Sequence, residues 1–410
     1  MPSTALNTTT VKVLNRSNNP KTDFGITPVP IAPSIIAAKQ TTAQTLSEQS
    51  VVSLMTCTPG RPLYLHFGHS ALRVQDPDFH GADGINGPID WTFNYGIFSF
   101  DTEHFYVKFT RGETDYMLAM QETGYFVASS QADGRDVFEQ ELNLTLAERQ
   151  QILDALIENY RPENRVYRYN FVFDNCATRP LRLIEKALPD FHVSTDTLEA
   201  TWRDQITYYS GKWTWGEFGI NLVFGRLADK KMTVAESLFL PENLMNYIQA
   251  SGLVGRSHIG TFVPRDGTFT SSPYLVLIVL CLLIVCVTAW DFRRKKQCYV
   301  MDATLYLLYT LVGCILTFLM FFSTHPFVTE NANWLILNPL WIIPFVLCLW
   351  RGGRKIHAKL MPAFCLFVFA EFIMAISSGQ TFHWILILPL VHAARLLCLY
   401  IHFYAKKKHA

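Results

Sequence analysis

Tyr274–Trp290 reads YLVLIVLCLLIVCVTAW, and the basic run Arg293–Lys296 follows two residues later. A helix rising 1.5 Å per residue needs about 20 apolar residues to cross about 30 Å of hydrocarbon, and about 17 is the lower limit. Working outward from this stretch, four more runs of that kind fill the rest of the chain: Ala303–Phe322, Trp334–Trp350, Leu360–Ile376 and Phe382–Tyr404. Arg351, Arg354 and Lys355 follow the third run, and Lys406, Lys407 and Lys408 follow the fifth. The connections after the second and fourth, Ser323–Asn333 and Ser377–Thr381, hold no Lys or Arg. Positive clusters stay cytoplasmic, so five spans place everything before Tyr274 on the opposite face. Buried core helices would not alternate their flanking charge in this way. The expectation is an all-α transmembrane bundle of about five helices, occupying residues 273–410.

The whole chain has 410 residues, a formal net charge of +1, 50% hydrophobic and 17% charged residues. A balanced charge excludes a chain-wide nucleic-acid footprint, which needs a basic excess. Seven of the nine cysteines lie after Ser272, and none forms a CxxC pair. Neither a zinc ribbon nor a small disulfide scaffold fits that distribution. No P-loop occurs and the histidines lack ligand spacing, so neither metal nor cofactor is expected. Residues 1–46 are expected to be a disordered N-terminal segment. Ser3–Asn18 is rich in Ser, Thr and Asn, and the mildly apolar Ile26–Ala38 is broken by Pro28, Pro30 and Pro33. That stretch suits an extended linker better than the h-region of a signal helix.

Residues 47–272 are enough for one α+β domain. Val51–Thr56 and Leu63–Val74 are β-rich and separated by the turn signal Thr58-Pro59-Gly60. A polar loop, Asp76–Asp90, leads to a strand over Trp91–Phe100. Leu144–Tyr160 has a helical period, with Thr145 as cap and Glu148 three residues on. A strand over Val166–Phe173 is expected to run directly into Asp174-Asn175-Cys176-Ala177-Thr178-Arg179, and a second helix follows through Leu188.

Two segments carry chemistry. His66-Phe67-Gly68-His69-Ser70-Ala71-Leu72-Arg73 is a histidine-bearing strand. Cys176 sits at a strand-to-helix junction, where the positive end of the helix dipole favours thiolate. Pro180 limits how early the helix starts, which places Cys176 just before the first turn. A nearby imidazole would complete a Cys–His nucleophile. The residues alone leave two other readings open: an inert buried thiol with a structural histidine, and a Cys57–Cys176 disulfide in an oxidising compartment.

Seven segments, in order, point further: Leu54–Gly60 (LMTCTPG), Phe67–Val74 (FGHSALRV), Asn94–Asp101 (NYGIFSFD), Phe109–Met117 (FTRGETDYM), Asn159–Tyr169 (NYRPENRVYRY), Phe173–Arg179 (FDNCATR) and Trp215–Phe224 (WGEFGINLVF), with Asn333–Pro339 (NWLILNP) in the membrane part. In these the chain resembles the Lnb-type family, bacterial inner-membrane lipoprotein N-acyltransferases. The resemblance implies a multi-pass inner-membrane protein whose catalytic domain lies on the periplasmic side. That domain is expected to be a circularly permuted papain-like thiol acyltransferase domain, its histidine strand preceding its cysteine helix. The implied reaction moves an acyl chain from a membrane phospholipid to Cys176, and from that thioester to the N-terminal amine of a diacylglyceryl-cysteine lipoprotein. His69 would shuttle the proton. Asn94 is the candidate for orienting His69, because Trp91, Phe93 and Tyr95 alternate onto the opposite strand face. His66, three residues from His69, is expected to be structural. Asn175 could cap the helix or place an oxyanion donor. Arg73, Arg111 and Arg179 could engage phosphate headgroups. A thiol hydrolase acting on phospholipid or peptidoglycan, and a non-catalytic lipid-binding scaffold, are the competing functions.

Within the bundle, Glu371 and Arg395 fall inside apolar runs, where ionisable groups are costly and usually paired. At 1.5 Å per residue they lie at comparable depths, about 16 Å and about 10–14 Å from the cytoplasmic ends, so they are expected to pair with each other.

Overall fold

The computed structural model describes residues 45–81, 86–263 and 266–405. Most of the expected disordered segment and the basic cluster Lys406–Lys408 therefore lie outside the described residues. In the N-terminal part, seven strands form one antiparallel sheet: β1 (Val51–Cys57), β2 (His69–His80), β3 (Asn86–Ile97), β4 (Asp115–Glu122), β5 (Val137–Leu142), β6 (Val166–Arg168) and β9 (Val254–His258). Their order is β6-β4-β3-β2-β1-β5-β9; β7 (Thr197–Thr201) and β8 (Lys231–Thr233) pair separately. Alternation along the strands sorts the two faces. Val52, Leu54, Leu72, Val74, Phe93 and Tyr95 point to the main core. Met55, Cys57 and Ala71 point to the other side, against Phe126.

The helices α1 (Phe105–Arg111), α2 (Thr123–Ala132), α3 (Leu146–Tyr160) and α4 (Thr178–Ala187) follow in chain order. The apolar stripes of α3 (Ile152, Leu153, Leu156) and α4 (Leu181, Ile184, Ala187) cover the main face, while α2 covers part of the other. Thr145 caps α3 in a reciprocal capping box with Glu148, two orphan donors answered by one short motif.

Several local expectations are corrected. The strand expected from Leu63 begins only at His69, because a 3₁₀ turn at Leu63–Leu65 and Gly68, with φ of +74°, intervene. His66 therefore lies in the turn, its ring bonded to the Arg61 carbonyl at 3.0 Å. Most of the described part of the Asp76–Asp90 loop is strand, since β2 and β3 extend into a longer hairpin. The strand expected over Val166–Phe173 stops at Arg168. There the Asn170 side chain accepts the Val172 and Phe173 N–H groups and turns the chain before Cys176.

Further helices are α5 (Trp202–Ser210), α6 (Trp215–Val223) and α7 (Pro241–Ala250), then the apolar helices α8 (Pro273–Arg294), α9 (Tyr299–Phe322), α10 (Asn333–Ile336), α11 (Ile342–Leu349), α12 (Arg351–Ser377) and α13 (Ile387–Tyr400). Among the described residues, four segments are long and apolar enough to cross a membrane, and Asn333–Leu349 forms a shorter apolar one. That third run is broken at Asn338-Pro339. A proline there cannot continue the preceding helix. The broken backbone packs onto Gly313 of α9, where a Cβ would stand 2.4 Å from the Asn338 carbonyl carbon.

The two connections without basic residues meet the soluble domain. Thr324 N–H donates to the Arg111 carbonyl at 2.8 Å, Gly225 N–H to the Phe327 carbonyl at 2.7 Å, and the Asn331 amide to the Leu222 and Val223 carbonyls. Phe327 itself enters a core with Trp202 and Phe239. The Glu371–Arg395 pair is not formed. Arg395 bonds instead to Asp302 and Asp291, each at 2.8 Å, and Glu371 makes no ion pair among the described residues. Asp291 and Asp302 sit at adjoining ends of α8 and α9, closer to the guanidinium than Glu371.

Candidate active site

His69 is the first residue of β2 and is delivered by a tight approach. A Cβ on Gly68 would stand 2.6 Å from the Phe262 ring and 2.8 Å from the Cys57 carbonyl oxygen. On one side His69 pairs with Cys57 of β1. On the other, the β2–β3 ladder starts only at Leu72–Phe93, so the strand ends splay. Cys176, two residues before α4, comes into that opening. Its Cβ lies 3.8 Å from where a Gly96 Cβ would stand, and Gly96 has a φ of +91° that suits a residue without one. The Ser70 backbone lies close enough to the Cys176 sulfur to favour its charged form.

Asn94 lies on the face of β3 opposite Phe93 and Tyr95, and its Oδ1 bonds to His69 Nε2. An amide oxygen can only accept, so this contact assigns the proton of the neutral ring to Nε2 and leaves Nδ1 as the basic nitrogen. Burial dominates both titrations. It pulls the His69 imidazole down to about 4, with the charge of Arg135 lowering it further and the Asn94 bond opposing. It pushes the Cys176 thiol up to about 11, against backbone N–H bonds from Ser70 and from its own residue. The thiolate expected from the helix dipole is thus not the resting form. Desolvation outweighs the dipole, and a neutral thiol rests next to the strand that carries a neutral imidazole. Cys57 and Cys176 are both free thiols, and Cys57 instead faces the Ser130 hydroxyl at 3.6 Å.

A file of aromatic rings leads away from the thiol. Tyr169 lies 3.4 Å from the Gly96 Cβ position and stacks on Tyr116 at 4.2 Å. Phe98, Phe105 and Phe109 continue at centroid spacings of 4.9, 5.6 and 5.8 Å, and Phe109 meets His325 of the membrane domain at 5.9 Å. A separate cleft of about 570 Å³ opens between the domains, lined in part by Lys212, Tyr274, His383 and Trp384; none of Cys176, His69 and Asn94 lines it.

Residues 37–207 match the family described as the Lnb N-terminal periplasmic domain, and residues 265–409 match the Lnb transmembrane domain. The chain belongs to the Lnb family. It is a multi-pass membrane protein with a periplasmic N-terminal domain, and Lnb proteins are lipoprotein N-acyltransferases. No curated protein and no solved structure matches the chain.

In this Lnb chain the other residues singled out by sequence have partners of their own. Arg73 bonds Asp90 through two nitrogens and Glu139 through a third, all at 2.7 Å. Arg179 holds Asp174 at 2.9 and 2.7 Å and lies 3.4 Å above the Tyr167 ring. Arg111 pairs with Glu113 at 2.7 Å. Asn175 is buried. Its amide donates to the Phe171 and Phe239 carbonyls and its Oδ1 accepts the Ala177 and Thr178 N–H groups, so it braces the Cys176 loop from both sides. Sequence reading passed over Arg135, which Asp133, Gly134 and Asp136 disguise as an ordinary turn residue.

Proposed function

We propose that this Lnb protein is a ping-pong thiol acyltransferase that modifies lipoprotein N-termini at the periplasmic face. Residues 47–272 form its catalytic domain, of circularly permuted papain-like type, and residues 273–410 tether it to the membrane. The observation that carries the reading is the His69–Asn94 bond across the strand end beside which Cys176 lies, its Cβ next to Gly96 of β3. The cysteine attacks an ester carbonyl of a membrane phospholipid while His69 Nδ1 takes the thiol proton. Proton transfer accompanies attack, because neither group is charged beforehand. Collapse of the adduct breaks the ester C–O bond, the imidazolium protonates the departing alkoxide, and a lysophospholipid leaves.

In the second half, the N-terminal amine of a diacylglyceryl-cysteine attacks the thioester carbonyl. His69 accepts one amine proton and returns it to the sulfur as the C–S bond breaks, giving an amide and the free thiol. Asn94 keeps the imidazole in the required tautomer, and Asn175 holds the Cys176 loop in place. The aromatic file provides an apolar bed by which an acyl chain reaches the thiol from the membrane side. Arg73 and Arg179 scaffold the headgroup region, since both guanidinium groups already hold carboxylates.

Replacing Cys176 by Ala or Ser, in cells whose only N-acylating activity is this protein, tests the reading. The N-terminal peptide of a reporter lipoprotein, weighed by mass spectrometry, is expected to lose one acyl chain while the variant stays in the membrane at normal level. Unchanged acylation sinks the thiol mechanism. Release of free fatty acid by the wild type, with no amide formed, makes it a hydrolase instead.

A further inference from the structure

Three arginines of the described chain are less than a tenth exposed: Arg135, Arg203 and Arg395. Two of them are neutralised by carboxylates at hydrogen-bond distance. Arg203 bonds Asp229 at 2.7 and 3.0 Å, and Arg395 bonds Asp302 and Asp291, each at 2.8 Å. Arg135 is different. Its Nη2 donates to the Ser130 hydroxyl at 3.3 Å, its nearest carboxylate is the half-exposed Asp133 at 4.0 Å, and its buried Nε has no partner.

Burying a cation whose one carboxylate partner is distant and half in solvent is costly, and a guanidinium can shed neither its proton nor its donors. The position is nonetheless held firmly. Arg135 N–H bonds the Ser130 carbonyl at 3.0 Å, and the Arg135 Cδ lies 3.3 Å from where a Gly60 Cβ would stand, so a side chain at residue 60 would crowd it. The location is also specific. The hydroxyl of Ser130 touches Arg135 on one side and the Cys57 sulfur on the other, and Cys57 is the cross-strand partner of His69. The same charge reaches both His69 and Cys176.

We infer that Arg135 is the receptor for the phosphodiester of the acyl donor, holding the glycerol esters against Cys176. This rests on the acyl-transfer reading above. A phospholipid is the one substrate of that reaction that brings a phosphate, a few bonds from its ester carbonyls. The planar guanidinium, through its two terminal nitrogens, supplies a fork that binds phosphate oxygens by two parallel N–H bonds. The acceptor, a diacylglyceryl-cysteine, has no phosphate, so Arg135 separates donor from acceptor at the first half-reaction.

The test is acyl-thioester formation on Cys176 in the full-length protein in detergent micelles, read by intact mass, with two donors carrying the same acyl chains: a phosphatidyl lipid and an uncharged diacylglycerol. Arg135→Gln is expected to slow acylation by the phosphatidyl lipid about a hundredfold and to leave acylation by diacylglycerol within about threefold. Arg135→Lys, which keeps the charge and loses the fork, is expected to fall between, and it provides the same donor ratio if the Gln variant does not fold. An equal fall with both donors overturns the inference and assigns Arg135 to the reacting oxyanion or to the fold. No fall with either donor overturns it and leaves the Cys176 thioester standing. A wild-type protein that takes an acyl group from neither donor overturns the acyl-transfer reading as well.

Discussion

The two ends of this molecule bury arginines on opposite terms. In the bundle, Arg395 lies between Asp302 and Asp291, with His392 adding a fourth group to the same carboxylate at 3.2 Å. In the periplasmic domain, Arg135 is also buried, though less deeply, and has a hydroxyl where a carboxylate would be expected. A charge balanced on every side works as a clamp, here tying α8, α9 and α13 together at their cytoplasmic ends. A charge left unbalanced next to a nucleophile and a base is stability given up for a ligand's sake.

The largest expected effect falls on the clamp. Arg395→Leu leaves two buried carboxylates facing each other, and breaking a buried pair from one side costs about 3–5 kcal/mol. Thermal unfolding in detergent should show the bundle melting early, with much of the loss recovered when Asp302→Leu is added. Arg135→Gln should leave the melting point unchanged or raise it, since it removes a buried cation whose one ion pair, to the half-exposed Asp133, is long. Equal destabilisation by the two substitutions would break the comparison. Next in size is Asn94→Ala, which frees the His69 ring without removing the base. Acylation of Cys176 should slow about tenfold to a hundredfold at unchanged stability, with kcat falling more than KM rises. Gly313→Ala is smaller: its Cβ would meet the Asn338 backbone, and forced repacking of that kind costs about 1–3 kcal/mol. A melting point unmoved by that substitution would show the broken third segment to be loose against α9.

What sequence could and could not deliver follows from the same contrast. Alternation is a local rule, so Asn94 opposite Phe93 and Tyr95 was readable, as were the Thr145 cap and the five apolar runs. Pairing across the chain is not local. Depth counting along the spans joins Arg395 to Glu371, whereas the partners it takes, Asp291 and Asp302, come from two other helices and no count along one span reveals them. The break at Asn338-Pro339 was visible as a dipeptide but was outweighed by the hydropathy on either side of it. Arg135 carried no signal at all, because a cation in an Asp-Gly-Arg-Asp turn reads as solvent-exposed until the turn is seen to fold over the His69 face of the sheet.

The subtlest effect concerns pH. His69 serves as a base only while unprotonated, and burial together with the Arg135 charge holds its pKa at about 4 instead of the ordinary 6.5. Acylation of Cys176 should therefore change by less than about twofold between pH 8 and pH 5, and fall only below that. Stability falls in the same direction but starts to fall at a higher pH. As pH drops from 6.5 towards 4 the unfolded chain binds a proton at His69 that the folded chain refuses, so folding weakens across that window. Removing the Arg135 charge relieves part of the shift, and Arg135→Gln should move the acid limb of acylation by diacylglycerol upward, towards 6.5. A wild-type limb already at 6.5 would mean that solvent reaches the imidazole and that the uncompensated cation is too well screened to act on it, which would leave the two arginines differing in partners and not in purpose.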